Sequence, residues 1–243
     1  MYKSILFTLI GIYFVIQTVI SAPQEKKCPN ETLRETCVHS LFIIGSPDSK
    51  FPDSSDQLKA FCGKLKDTDK CVKDYTKRCM SPTGRRATEV AVAGISRLLK
   101  RMCKSNERRA EFVKNAGCGN AVIPDMRSCL NSYKLSLYGA QKAPLSDKLP
   151  ILCCKFHDFR GCVRKGFDRV GSQVCPEESR KYFGHIADAF QSDVFDLICS
   201  NYDADSDKCK AVVVPEVTES EETRSLLKPL RNVLKSVLES DNN

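Results

Sequence analysis

The run Cys153-Cys154-Lys155-Phe156-His157-Asp158 places an imidazole beside a carboxylate, just after a cysteine pair. A neutral imidazole is a suitable general base, and a carboxylate is a suitable calcium ligand. Calcium, however, takes about six to eight oxygens, and one carboxylate cannot supply them. The other candidate groups are poorer still. His39 and His185 stand alone, with no acid or second histidine at ligand spacing, and Gly94-Ile95-Ser96 lacks the second glycine of a nucleophile elbow. Glu177-Glu178 and Glu221-Glu222 begin predicted helices, where the macrodipole favours negative charge, so they need no catalytic explanation. No phosphate-binding glycine loop and no Cys/His cluster of zinc spacing occurs. The expectation is a non-enzyme with no catalytic residue, no metal site and no cofactor.

The Cys153 to Asp158 run resembles the phospholipase A2 signature, which implies His157 as the base and Asp158 as the calcium ligand. Two departures argue against calcium-dependent lipase chemistry. Arg160 stands where that family has a cysteine. The upstream segment Tyr138-Gly139-Ala140-Gln141-Lys142-Ala143-Pro144 has one glycine and a lysine in place of a glycine-rich calcium loop.

The elements that would position these residues follow from the cysteines. Residues 1–21 carry Lys3, a mostly apolar stretch and no acid, and composition turns polar at Ala22-Pro23-Gln24-Glu25, the pattern of a secretory signal peptide cleaved after Ser21. No later stretch could span a bilayer. The 14 cysteines all follow the leader, and in an oxidising compartment an even count predicts seven disulfides. Asn30-Glu31-Thr32 is the glycosylation sequon, with Asn30 as acceptor.

Laid one over the other, the two halves of the chain repeat. Cys28, Cys37, Cys62, Cys71, Cys79 and Cys103 are separated by 8, 24, 8, 7 and 23 residues. Cys118, Cys129, Cys153, Cys162, Cys175 and Cys199 are separated by 10, 23, 8, 12 and 23. The segment 61–72 also matches 152–163 at Cys, Lys, Asp, Cys and Val, and there Lys66-Asp67 stands where the second half has His157-Asp158. The His-Asp step therefore occupies a structural element of a repeat. Two six-cysteine modules are expected, over residues 22–110 and 111–209, with the same three bridges in each. Cys154 and Cys209 have no counterparts and are left to pair with each other.

Between the cysteines the apolar period is helical. Val92, Ile95, Leu99 and Met102 lead to Cys103, and Phe183, Ile186, Phe190, Val194 and Leu197 lead to Cys199. Ser55 or Asp56, Ser146 or Asp147, and Asp125 stand where helices should start. The fold class expected is all-α, with four or five short helices per module. In the cysteine-free tail, 210–243, Thr218 and Glu221 form a capping-box pattern ahead of a stripe of Leu226, Leu227, Leu230, Val233, Leu234, Val237 and Leu238, which Pro229 kinks or restarts. That stripe either docks on the modules or serves a membrane surface or partner.

The net charge is +8 for the chain and +7 once Lys3 leaves with the signal peptide. It reads as spread along the chain, without a basic stripe, so nucleic acid is not expected as a partner. A secreted helical protein with a dozen or more cysteines in two related halves, and the Cys153-Cys154 pair in the second, resembles the arthropod 27 kDa haemolymph glycoprotein family. The likeness implies a body-fluid protein and transfers no functional residue. The expected function is a secreted, extracellular, non-enzymatic protein of haemolymph, saliva or venom that binds a small apolar ligand or a protein partner. The alternatives are a venom toxin or immune effector acting through the basic C-terminal helix, with peripheral membrane contact there, and, ranked below it, a calcium-dependent phospholipase A2-like enzyme.

Overall fold

Ser54 opens the first helix: its carbonyl accepts from the Leu58 amide at 3.0 Å and its hydroxyl from the Gln57 amide at 3.3 Å. The cap thus falls one residue before the Ser55 or Asp56 that spacing suggests. The computed structural model describes residues 50–79, 85, 93, 96–191, 195–220 and 226–240. The secondary structure among these is helical, with no strand: α1 (Ser55–Cys79), a helical stretch at 96–103, α2 (Asn106–Lys142), α3 (Leu145–Val170), α4 (Glu177–Gln191), α5 (Phe195–Cys199), α6 (Asp207–Lys210) and α7 (Leu227–Ser240). The all-α class is therefore as expected. The lengths are not, because 25, 37 and 26 residues in α1, α2 and α3 replace a series of short helices.

The helix α2 departs furthest from its expected form. Ser105 caps it, accepting from the Arg108 amide at 3.3 Å, and it runs through Asp125 without restarting there, with Pro124 inside it. Position 110/111 also lies within it, so one continuous element joins the two cysteine series. Its buried residues lie on one broad face, and successive stretches of that face meet different neighbours. Phe112 and Ala116 pack with Leu58, Leu65, Val72, Leu99 and Met102. Cys118, Val122 and Met126 pack with Cys175 and Phe183. Tyr133, Leu137 and Ala140 pack with Ile151, Leu152, Phe156 and Val233. Its exposed stripe, which includes Ala110, Gly117, Pro124 and Ser128, carries few charges, so the amphipathic signature by which sequence reveals a helix is weak.

The helix α3 begins at Leu145 after Pro144, not with a side-chain cap from Ser146 or Asp147, and it ends where Gly171 turns to φ 80°. The helix of the tail starts at Leu227, so Thr218 lies outside it in non-helical chain, and Glu221 falls outside the described residues. Pro229 sits in the first turn of α7, where a missing amide costs little, and its side chain is fully buried. The apolar face of α7 is docked: Val233 is buried, Leu226, Leu230 and Leu234 pack beside it, and the Asn232 amide donates to Gln141 Oε1 at 2.7 Å. Among the described residues no helix is long and apolar enough to cross a membrane.

Five disulfides are described: Cys62–Cys103, Cys118–Cys175, Cys129–Cys162, Cys153–Cys199 and Cys154–Cys209. The last is the pair left over by the cysteine count. Cys62–Cys103 and Cys153–Cys199 each join the third cysteine of a series to the sixth. Residues 1–21, Cys28, Asn30, Cys37 and His39 lie outside the described residues, as does the side chain of Cys79.

Candidate binding cleft

The helices α2 and α3 face each other with matching sets of side chains. Cys129, Ser132, Tyr133 and Ser136 recur at three, four and seven residues on α2, and Lys155, Asp158, Phe159 and Cys162 do so on α3. That spacing puts each set on one helix face. The Cys129–Cys162 bridge joins the first member of one set to the last of the other, so the helices run antiparallel. Between the two faces lies a half-open cleft of about 420 Å³, which Val212 and Val214 line from a third side. Its volume falls in the range of small-molecule sites, which is about 300 to 1,000 Å³.

The back of the cleft is aromatic. The lining residues Tyr133 and Phe159 have ring centroids 5.9 Å apart, and behind them, in the core and not in the lining, Phe156 lies 5.8 Å from Tyr133 and stacks on Phe195 at 3.7 Å. Burial pushes the Tyr133 phenol far above its ordinary value, so it stays neutral. The rim is polar. Lys155 pairs with Asp158 at 2.9 Å, while the Ser132 and Ser136 hydroxyls donate to the carbonyls of Ser128 and Ser132, one turn back on α2. An apolar back with a few polar groups at the mouth suits a ligand that is mostly hydrocarbon.

Residues 212–220 form a non-helical strap that supplies the third wall. Val212 and Val214 line the cleft, while Val213 between them is 81% exposed. The Cys154–Cys209 bridge anchors the chain just before it. Gly139 lets it lie close to α2: a Cβ there would come within 2.5 Å of the Pro215 carbonyl oxygen and 2.6 Å of Val214 Cγ1. Farther on, Glu219 accepts from Asn131 at 3.2 Å and pairs with Lys134 at 3.6 Å.

The structure separates the two halves of the His-Asp step. His157 Nε2 donates to the Tyr202 carbonyl at 2.7 Å, tying α3 to the loop before α6, while Asp158 turns to Lys155 at the rim. No group of three His, Cys, Asp or Glu side chains able to hold a metal ion occurs among the described residues. His185 is exposed on α4. Ser96 is buried and donates to Asp69, an interhelical contact. The cleft itself was not read from sequence, although the paired sets at 129–136 and 155–162 were visible there as helical spacing.

The chain matches no protein-family model, no curated protein and no solved structure.

Proposed function

We propose that this is a secreted, extracellular, non-enzymatic helical protein that carries or captures a small, mostly apolar ligand in the cleft between α2 and α3. The observation that carries the reading is the aromatic-backed cleft of about 420 Å³ under the strap. Several features support the setting. The five described bridges are of the kind that persist in oxidising compartments, the leader has the composition of a signal peptide, and the cysteine framework is similar to that of the 27 kDa haemolymph glycoproteins. The two-module duplication belongs to the same reading, supported by the third-to-sixth bridge in each series.

Native mass spectrometry of protein secreted from eukaryotic cells, with a melting series in added long-chain fatty acids and alcohols, tests the cleft. Ligand carried through purification, or a melting temperature that rises with added ligand, is expected. Ser136→Trp, which fills the mouth without removing a core residue, should abolish that rise. A protein that arrives empty and does not respond to any of these ligands would overturn the reading.

A further inference from the structure

We propose that the outer surface formed by α1 and the helical stretch 96–103 is a docking face for a linear extracellular polyanion, of the class of sulfated or uronate-bearing polysaccharides. It lies away from the α2/α3 cleft and does not depend on it.

The two helices are antiparallel neighbours. Cys62 is bridged to Cys103, and seven residues farther along α1 Asp69 accepts from Ser96, seven residues back from Cys103. Core and seam define two directions on α1: Leu58, Leu65, Thr68 and Val72 are buried beneath it, and Cys62 and Asp69 face the neighbouring helix. At about 100° per residue, Lys59, Lys70, Lys73 and Lys77 fall within an arc of about 60° just beyond that seam. All four are exposed.

The second helix mirrors the arrangement. Leu99 and Met102 are buried, Ser96 and Cys103 face α1, and Arg97, Lys100, Arg101 and Lys104 project on the outer side, all exposed. Because the helices are antiparallel, the two basic arcs open on the same side of the seam. The cations of α1 and of 96–104 therefore lie on one side of the helix pair, those of the two helices meeting where Lys59 and Lys70 face Lys100 and Lys104. The acid at the seam, Asp69, is engaged by Ser96 and Lys100, and Asp67 and Asp74 lie farther round α1, outside the arc.

Two features select the partner. From Lys59 to Lys77 the lysines cover about 27 Å at 1.5 Å per residue, which suits an extended chain of repeated anions better than one small anion. Among the described residues the large exposed hydrophobics, Leu145, Val174 and Val213, all lie elsewhere, so the described part of the face offers no apolar anchor for inserting into a bilayer. Like charges held along one face raise the local concentration of a polyanion and speed its capture.

The test is binding of the full-length protein to immobilised heparin. Lys70→Glu/Lys73→Glu/Lys77→Glu is compared with Arg164→Glu/Lys165→Glu/Lys210→Glu, a triple with the same change in net charge on other helices. Circular dichroism and melting confirm that each variant is folded. The stripe triple should lose at least about tenfold in affinity and the control triple much less, with binding weakening steeply as salt rises from about 0.1 M to about 1 M. If the stripe triple unfolds, Arg101→Glu/Lys104→Glu, which leaves α1 intact, should produce the same selective loss. Equal losses in stripe and control variants, salt-independent binding, or stronger binding to phosphatidylserine vesicles than to heparin would overturn the proposal.

Discussion

The seam between α1 and 96–103 and the interface between α2 and α3 answer the same demand in different ways. Each joins antiparallel helices across a disulfide, Cys62–Cys103 in one and Cys129–Cys162 in the other. Beside its bridge the first seam places Asp69, Ser96 and Lys100 and turns a basic face outward. The second places Tyr133 and Phe159 beside its bridge and leaves a cleft, which a strap tied down by a further bridge, Cys154–Cys209, closes on one side. Once covalent links hold two helices together, the residues between them are freed from supplying all of the cohesion, so one seam can be polar and the other incompletely filled. In this fold the bridges provide stability, and the distinct surfaces beside them carry the proposed functions.

The comparison can be broken at the bridges first. Removing Cys62–Cys103 by paired alanine substitution, and separately Cys153–Cys199, releases loops of 41 and 46 residues and should cost about 4 kcal/mol each by loop-closure entropy. Denaturant melts of the two variants should give similar losses, and a disparity of several kcal/mol would argue against equivalent roles. The strap is the next target. Gly139→Ala pushes a methyl into Pro215 and Val214 and should cost about 1 to 3 kcal/mol, with a change in ligand response. Gly117→Ala on the same helix meets nothing within 4 Å and should instead stabilise by about 0.5 to 1 kcal/mol. Thermal melts of this pair separate the close approach at Gly139 from helix propensity.

The smallest effect concerns the carboxylates at the two seams. Burial raises the pKa of Asp69, but hydrogen bonds from Lys100 and Ser96 and the nearby charges of Lys100 and Lys73 outweigh it, leaving the group below its ordinary 3.8. The hydrogen bonds of Arg169 do the same for Asp125, which links α2 to α3. A carboxyl lowered in the folded state contributes stability that is fully present above its unfolded value and lost as pH falls through its folded value. Asp69→Asn should therefore cost about 1 kcal/mol at neutral pH, and the difference from the parent should fade as pH drops below 3.8. A gap that persists in strong acid would show that shape, not charge, holds that seam.

Much of the helical content was legible because core and solvent impose a period on each partly exposed helix. Leu99 and Met102, and Phe183 with Ile186, lie against the core as their spacing implies. The helix α2 was not legible as one element, because its water-facing stripe is made largely of small or uncharged residues such as Ala110, Gly117, Ser128 and Ser132, and Pro124 suggests a start at Asp125. The basic face was missed for a different reason. Counted along the chain, its cations are diluted by intervening residues, and they come from two segments that the fold brings together at Cys62–Cys103, at Asp69 and in the core beneath. The fold sets exposed Lys59, Lys70, Lys73 and Lys77 on one arc of α1, an arrangement that chain order hides. The two helix faces of the cleft could be seen separately at 129–136 and 155–162, but nothing local indicated that they oppose each other or that Val212 and Val214 close the side.

From the chain alone came the helical class and the pairing of Cys154 with Cys209. Helical period is a local property, and that pair is what remains when the repeated cysteines are matched. Tertiary structure alone decided which faces confront each other, that the apolar side of α7 is buried at Val233, and that the strap lies against Gly139. These outcomes depend on contacts between residues far apart in sequence, where helix crossing, side-chain volume and the reach of each bridge act together.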